Sequence, residues 1–442
     1  EGQPGPQDYG RTHADGANLL GDALALAGSG GVDGGGGGRV IWRAFVYREE
    51  AGQDRATQAY RELTPLDGKF RDNVSVQVKN GPIDFQPREP FHPLFGAMPK
   101  TPLLVEFQIT QEYLGCATHL AYLGPLFKET LDANTHAPAA DTTPKPDHAP
   151  IDPGVPSIAR LMGQHSGSGM AGVANIGTDR NWCGHPFAAA NWFAFGRLAW
   201  DATLDPQEIA DDWLRMTFTN SPAFVGPVTT LMMMSRQAVV DYMTPLGLHH
   251  LMAKDHHYGP GPWEDEGRAD WTPVYFHRAD AHGIGFDRTS TGSNAIAQYH
   301  PPWPEIFGNV EQCPERLLLW FHHVSWRHEM PSGRTLWDEL CVRYQHGVDS
   351  VRLMQEVWES VTTEIDDAEF VHVKELLAIQ EREACWWRDA CLLYFQTFSK
   401  RPFPPGCEPA RLSLDAYRRI KHNTVPGVAA WDPLDADSLP PE

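Results

Sequence analysis

The sequence predicts an α/β fold, parallel strands arranged as part of a (β/α)8 TIM barrel, followed by a mainly α-helical C-terminal domain. Three observations lead to this fold class. Strand-like and helix-like segments alternate early in the chain, the strands have one apolar and one polar face, and later segments repeat apolar residues at helical spacing. We therefore divide the chain into a barrel region, residues 1–184, and a helical domain, residues 185–442.

The alternating segments follow one another in a regular order. We predict strands over residues 40–47, 74–79, 103–112 and 171–176, and helices over residues 15–27, over residues 53–63 and up to about residue 131. A Gly tract at residues 28–38 and a Pro-rich stretch at residues 136–156 are predicted to be loops. Strand–helix–strand order is typical of parallel β/α units.

The two faces of the predicted strands differ in polarity. The third strand places its polar residues on one face, namely Glu106, Gln108, Thr110 and Glu112. In the second strand, Gln77 and Lys79 oppose three valines. An open doubly wound sheet buries both faces in apolar contacts, whereas a barrel turns one face toward helices and the other toward its lumen. This parity favours the barrel, whose active sites lie at the C-terminal ends of the strands.

Helical signals dominate from about residue 185. Asp205, Pro206 and Glu208 form a helix start, with an N-cap acid, Pro at the first position and Glu at the third. Apolar residues recur at helical spacing over residues 336–360 and 367–400. Such stripes predict a helical core or an interface.

Composition excludes several classes of function. The 442 residues have a formal net charge of −21, which argues against a nucleic-acid binder because such proteins need a basic face. No apolar run approaches the roughly 18 residues of a membrane span. The 7 Cys form no C-x-x-C pair. Reduced thiols and a cytoplasmic location are the expectation.

The chain opens at Glu1, so we expect a piece whose start has been removed.

Two acids follow predicted strands. Asp84 comes just after the second strand and Glu112 ends the third. Neighbouring parallel strands would bring both side chains together over the barrel mouth. Glycoside hydrolysis needs such carboxylates, one to protonate the leaving oxygen and one to act on water or the sugar. The alternative is that each acid is a solvated surface or helix-capping group.

Long motifs along nearly the whole chain resemble those of the family 67 α-glucuronidases. The matching segments are residues 1–6 (EGQPGP), 9–18 (YGRTHADGAN), 42–47 (WRAFVY), 79–91 (KNGPIDFQPREPF), 93–100 (PLFGAMPK), 106–115 (EFQITQEYLG), 172–177 (GVANIG), 179–182 (DRNW) and 256–263 (HHYGPGPW). The resemblance implies release of (4-O-methyl-)glucuronic acid α-1,2-linked to the terminal xylose of xylo-oligosaccharides. It further implies inversion, no metal or other cofactor, and aldouronic acids as substrates.

The resemblance also implies catalytic roles. Glu1 matches the general acid, and Asp84 and Glu112 match the pair that positions and deprotonates water. An inverting enzyme separates acid and base by roughly 6.5–9.5 Å to leave room for water. We expect a raised pKa for the acid, while Lys79 should keep Asp84 ionised.

Arg43, Lys79 and Trp263 match substrate-binding positions of the family. Arg43 and Lys79 would hold the uronate carboxylate, which an acidic protein can bind only through local cations. Trp263 is the candidate for an aromatic wall from the helical domain, which in the family also forms a homodimer. An alternative for Arg43 is a structural ion pair with Glu106.

Adjacent His pairs, such as those at residues 249–250 and 256–257, show no ordered ligand spacing, so structural roles are preferred to metal binding. The Trp-rich helical segments are interpreted as packing rather than sugar binding.

Three features depart from the family pattern. The N-terminal β-sandwich, the first barrel strands and a basic residue just before Glu1 are absent, and residues 28–38 and 136–156 differ. A barrel with half its strands has open edges. We therefore expect the isolated 442 residues to be poorly stable and inactive. The competing hypothesis is a noncatalytic helical dimerisation module with a remnant sugar-binding face.

Overall fold

The structure, a computed structural model, describes residues 5–28, 38–46, 52–109, 113–115, 118–138, 155–174, 185–253 and 257–420. The first part combines short helices with parallel strands, in the order α1 (His13–Gly28), β1 (Val40–Arg43), α2 (Gln58–Leu63), β2 (Val74–Lys79), β3 (Leu103–Gln108), α3 (Gly124–Asp132), α4 (Ile158–Met162) and β4 (Gly169–Val173).

The rest is mainly helical. Its elements are α5 (Ala188–Trp200), α6 (Pro206–Thr217), α7 (Pro222–Met243), α8 (Pro273–His277), β5 (Gly283–Ile284), α9 (Trp303–Gly308), α10 (Leu318–Phe321), β6 (Val324–Ser325), α11 (Leu336–Glu359), α12 (Asp367–Ser399) and α13 (Leu414–Arg419). Strands β5 and β6 pair antiparallel as a small separate ribbon.

Strands β1 to β4 form one four-stranded parallel sheet in which the spatial order equals the chain order. The prediction of parallel β/α units followed by helices is confirmed. No closed barrel forms among the described residues, because the sheet is open and β1 and β4 are its edge strands. Each crossover steps in the same direction across the sheet, whereas a doubly wound sheet reverses direction at a switch point.

The strand bounds differ in part from those predicted. β1 pairs only as far as Arg43, and β3 ends at Gln108, so both are shorter than expected. β4 lies two residues earlier than the predicted segment 171–176, since Leu104 pairs with Gly169. Residues 47, 110–112 and 175–176 of these predictions lie outside the described part of the chain.

Polar residues of the sheet share the face that the sequence parity assigned to them. Lys79 of β2 stands opposite Glu106 of β3, and Arg43 of β1 opposite Gln77 of β2. The alternate residues of β2 are fully buried valines. Gln77, Lys79 and Glu106 are buried as well, so this polar face is covered rather than solvated.

The helical core is built around α7, which packs against both α11 and α12. The sequence pattern predicts α6, α11 and α12, whereas α5 and α7 have no such signal. Most of α7 is buried on all sides, so it lacks the one-sided apolar stripe that marks an amphipathic helix. Pro222 opens the helix at its first position, and Pro227 lies within its second turn.

Within the described ranges, no helix has the length and apolar character needed to cross a membrane. The five cysteines described there are free thiols: Cys313, Cys341, Cys385, Cys391 and Cys407.

Gly347 sets the distance between α11 and α7. A Cβ added at Gly347 would lie 2.4 Å from the backbone nitrogen of Tyr242. We expect Gly347→Ala to lower the free energy of unfolding by about 1–3 kcal/mol, because two backbones must separate. Gly196 of α5 is the matched control, since an added Cβ meets nothing within 4 Å there.

Gly196→Ala should raise stability by up to about 1 kcal/mol through helix propensity. Thermal unfolding of the two variants measures both effects. An equal gain in stability from both substitutions would contradict the close α7–α11 contact.

Candidate active site

The candidate site lies at the C-terminal ends of β1, β2 and β3, where parallel strands bring their last side chains to one edge. Arg43 ends β1, and its guanidinium forms a two-point ion pair with Glu106 of β3, with the Nε–Oε2 contact at 3.2 Å. Glu106 is buried, whereas the Arg43 side chain is 43% exposed. The structural pairing considered as an alternative for Arg43 is therefore present in the fold.

Lys79 ends β2 and pairs with Asp84 in the loop that follows, residues 80–89. The Lys79 side chain is 7% exposed and that of Asp84 is 21% exposed. The Lys79 ammonium also lies 4.8 Å from the ring centroids of both Phe45 and Phe85. Aromatic faces and one carboxylate thus stabilise a cation that has little contact with water.

Phe45 also brings the two predicted cations to one place. The Arg43 guanidinium lies 5.0 Å from the Phe45 ring centroid, close to the 4.8 Å of the Lys79 ammonium. Both positive groups therefore contact the same aromatic ring at the edge of the sheet. Each of these cations is paired with a carboxylate, Arg43 with Glu106 and Lys79 with Asp84, so the cluster holds two charges of each sign.

Asp84 is held in its ionised form. Burial acts to raise its pKa, but the Lys79 ammonium outweighs that effect through charge and hydrogen bonding, and the pKa lies below its ordinary value. Its second oxygen, Oδ2, accepts a hydrogen bond of 2.9 Å from the Tyr113 hydroxyl. A carboxylate with both oxygens engaged and a lowered pKa has the charge state required of a base or a water-orienting group.

The Glu89 side chain binds the backbone of the 80–89 loop that carries it. Its carboxylate accepts hydrogen bonds from the backbone N–H groups of Ile83, Asp84 and Gln86. Burial raises the pKa of Glu89 to about 7. Between Asp84 and Gln86, Phe85 has a φ of 50°, in the left-handed region that a bulky side chain rarely adopts.

Residues of the helical region contact the loops at this edge of the sheet and form one wall of the candidate site. The backbone N–H of His250 donates to the Gln86 side chain at 2.6 Å, and the His257 ring lies 4.9 Å from that of Tyr113. His250 stacks on Phe276 at 4.5 Å, and burial lowers its pKa to about 3, so the ring is neutral. His250 and His257 also have positive φ, 57° and 56°. Both His residues thus act as wall elements.

A buried hydrogen-bond network anchors this wall to the segment after β3. The Glu383 carboxylate of α12 accepts from the Tyr258 hydroxyl and lies 2.6 Å from His119 Nε2. His119 Nδ1 is 2.8 Å from the Tyr242 hydroxyl of α7, to which Gln380 also donates. We refer to these five residues as the Glu383 network. It joins α7, α12 and the loops at residues 119 and 258 in one polar cluster within the core.

Trp263 lies in the helical region beside Tyr394, with ring centroids 6.3 Å apart, and under the Arg418 guanidinium at 5.9 Å. Its described ring contacts are with these residues rather than with Asp84 or Lys79. The loop that carries it also carries His257, which reaches Tyr113. The structure thus brings together Arg43, Lys79 and Asp84, whereas the described ring contacts of Trp263 lie within the helical region.

The other two predicted catalytic residues, Glu1 and Glu112, lie outside the described residues. Sequence reasoning missed Phe45, Tyr113 and Glu89. The signal available for them was their place inside the matching motifs at residues 42–47, 106–115 and 79–91. The stacking of His250 on Phe276 agrees with the structural role expected for the His pairs, but its contact with Gln86 had no sequence signal, because it arises from the tertiary fold.

Among the residues that the structure describes, no group of three or more His, Cys, Asp or Glu side chains could hold a metal ion.

Comparisons with known proteins agree along most of the chain. The family description "Glycosyl hydrolase family 67 middle domain" matches residues 1–182, and "Glycosyl hydrolase family 67 C-terminus" matches residues 183–408. The chain is 39% identical over 408 residues to "Probable alpha-glucuronidase A" of Aspergillus clavatus, covering 90% of this chain and 46% of that protein.

Two further relatives give the same result. "Alpha-glucuronidase A" of Emericella nidulans is 37% identical over 436 residues, 94% of this chain and 49% of the relative. "Alpha-glucuronidase A" of Aspergillus tubingensis is 36% identical over 440 residues, with shares of 95% and 49%. The chain spans about half the length of the curated relatives that it matches.

Replacing Lys79 tests the electrostatics of the site. Lys79→Met should raise the pKa of Asp84, because burial is then opposed only by weaker charges. Because the pKa of Asp84 is lower in the folded protein than in the unfolded chain, its ionised form stabilises the fold at pH values above the unfolded-state pKa. This stabilisation is lost as the pH falls through the folded-state pKa. The variant should lack that contribution.

Titration of the Asp84 carboxyl by carbon-detected NMR, together with unfolding at several acidic pH values, measures both effects. Lys128→Met is the matched control, because Lys128 pairs with Asp132 along the exposed side of α3. An unchanged Asp84 titration in Lys79→Met would show that Lys79 does not set its charge.

Proposed function

The chain belongs to glycosyl hydrolase family 67, and from that premise we propose that the protein in which it occurs is an inverting α-glucuronidase. The proposed reaction releases (4-O-methyl-)glucuronic acid α-1,2-linked to the terminal xylose of xylo-oligosaccharides, as part of xylan degradation. The observation that supports this most is the Lys79–Asp84–Tyr113 group at the C-terminal edge of the sheet, with Arg43 beside it.

Asp84 is proposed as part of the machinery that activates water. Its lowered pKa keeps it ionised, and the Tyr113 hydroxyl and Lys79 ammonium direct its two oxygens. Glu112, on the segment that leads to Tyr113, is proposed as its partner in orienting and deprotonating the water. Inversion follows when water attacks the sugar from the face opposite the leaving group.

Glu1 is proposed as the general acid that protonates the glycosidic oxygen. This assignment rests on the family motif at residues 1–6, and the acid must be protonated near neutral pH to donate. After the glycosidic bond breaks, its proton resides on the xylose hydroxyl, while the proton from water passes to the carboxylate base. Atoms and charge therefore balance with no metal in the step.

Arg43 and Lys79 are proposed to hold the uronate carboxylate of the substrate. The Arg43 guanidinium has five N–H donors, of which those on Nε and Nη2 contact Glu106, and its side chain is 43% exposed. A second carboxylate can therefore approach it from the solvent side. Lys79, which is bound to Asp84 and nearly buried, contributes positive charge beside the Phe45 ring rather than an exposed donor. Trp263 is proposed as a more distant wall residue.

The sheet is proposed to be one half of a (β/α)8 barrel. Its strands follow chain order and are all parallel, which is the arrangement found around such barrels. Ile41 of the edge strand β1 is 53% exposed, and the neighbouring helix α1 exposes several leucines, namely Leu19, Leu20, Leu24 and Leu26. Remaining strands and helices packed there would cover this apolar surface. The relatives, at about twice the aligned length, have room for them.

The helical region is proposed to mediate a homodimer. Trp200 at the end of α5 is 87% exposed, and Met216 of α6 is 65% exposed, which gives this region solvent-facing apolar side chains suited to a partner. Light scattering of the purified protein should give twice the mass of one chain. A monomeric mass that is independent of concentration would contradict this proposal.

Hydrolysis by the whole protein and its variants tests the function. Wild type should release methylglucuronic acid from aldouronic acids, and proton NMR should show the β-anomer first, because inversion reverses an α-linkage. Asp84→Ala and Glu1→Ala should abolish turnover, with losses of about 10³-fold or more.

Asp22→Ala is the matched control, since Asp22 pairs with Arg71 on the exposed side of α1 and should leave turnover unchanged. Full activity in Asp84→Ala would overturn the site assignment. Absence of hydrolysis in the wild type under all conditions would instead favour the noncatalytic helical module.

A further inference from the structure

We propose that Glu89 is a positioning residue that fixes Asp84 for water activation through three backbone amides of the 80–89 loop. The inference rests on the proposed function, because positioning matters only if Asp84 acts on water. Glu89 does not contact the proposed substrate site directly. Its effect passes through the backbone that carries Asp84.

The contacts of Glu89 converge on the residues around Asp84. Its Oε2 accepts from Ile83 N–H at 2.7 Å, and its Oε1 accepts from Asp84 N–H at 3.2 Å and from Gln86 N–H at 2.9 Å. All three backbone N–H groups donate to one carboxyl group, so they are held at fixed positions relative to one another. One side chain therefore binds the backbone at Ile83, at Asp84 itself and at Gln86.

The loop requires such an anchor because its conformation is unfavourable by itself. Phe85 has a φ of 50°, a strained conformation for a non-Gly residue that persists only when the surrounding structure imposes it. Gln86 is bound on its other side, since its side chain accepts from His250 N–H at 2.6 Å and donates to the Asp84 carbonyl at 3.2 Å. Glu89 and the helical wall thus hold the loop from two directions.

Gly81 provides the space in which Glu89 lies. A Cβ added at Gly81 would lie 2.5 Å from the Glu89 Cβ and 2.7 Å from its carboxyl carbon. Gly81 is not among the residues with positive φ, so alanine there meets a steric conflict rather than a backbone restriction. Gly81→Ala should therefore displace the Glu89 side chain while leaving residue 89 a glutamate.

The consequence of displacement is specific to Asp84. Lys79 is fixed by the strand β2, and Tyr113 lies on the segment after β3, so neither moves with the 80–89 loop. Asp84 meets both partners only while the loop holds its present path. A loosened loop lengthens the contact with Lys79, which raises the pKa of Asp84 and misdirects the water.

The first test compares Glu89→Gln and Gly81→Ala with wild type in the whole protein. In Glu89→Gln, an amide NH2 replaces one oxygen and faces a backbone N–H, so at least one hydrogen bond is lost. We expect kcat to fall by about 10- to 100-fold in both variants, because a displacement of about 1 Å can cost that much. KM should stay within about twofold, and the acid limb of the kcat/KM profile should move to higher pH.

Glu339→Gln is the matched control. Glu339 is a buried carboxylate that accepts from Ser332, Arg334 and Arg343 in the helical region, so its loss should lower stability without changing kcat or the acid limb. An equal loss of kcat in Glu339→Gln, or an unchanged kcat in both loop variants, would overturn the positioning role.

The second test does not depend on turnover. Amide hydrogen exchange of Ile83, Asp84 and Gln86 should be faster in Glu89→Gln and in Gly81→Ala than in wild type, and unchanged in Glu339→Gln. Unaltered exchange at these amides would refute the inference even if the protein is an active α-glucuronidase. Faster exchange in a protein whose wild type releases no uronic acid would refute the proposed function and leave the loop anchor established.

Discussion

The candidate site depends on one constraint, which is that charges gathered at the C-terminal edge of a parallel sheet must each find a partner. β1, β2 and β3 end in Arg43, Lys79 and the Glu106–Gln108 segment. Lys79 and Glu106 are buried, so little water solvates their charges, whereas the Arg43 side chain is 43% exposed. An unpaired charge in such surroundings costs several kcal/mol. The fold meets this with Arg43–Glu106 across two strands and Lys79–Asp84 between a strand and its loop. Both pairs leave the edge ordered before any ligand arrives.

The helical region completes what the sheet alone cannot provide. The Glu383 network ties α7 and α12 to the segment after β3, and His250 binds the Gln86 side chain from the same side. Fully satisfied polar networks of this kind specify one arrangement of the elements they join, because breaking any member leaves buried groups without partners. The barrel region and the helical domain are therefore separate along the sequence, but residues from both contribute to the site.

Much of this arrangement followed from the sequence. Alternating polarity put Lys79 and Glu106 on the same face of the sheet, and the register between β2 and β3 agrees. Resemblance to a known family singled out Asp84 among 57 acidic residues. The misses have physical causes. Most of α7 is buried, so it lacks a one-sided apolar stripe, and the bounds of β4 are set by pairing with Leu104 rather than by its own apolar run. The role of Glu89 depends on the left-handed backbone conformation of Phe85, which no residue pattern predicts.

The chain order of the sheet has a consequence for how the molecule is assembled. Each strand pairs with the strand made just before it, so the sheet can grow by addition at one edge as synthesis proceeds. The contacts that close the site are far apart in sequence: Arg43 meets Glu106 across 63 residues, Gln86 meets His250 across 164, and His119 meets Glu383 across 264. The nascent chain therefore carries an incomplete pocket until α12 has been made.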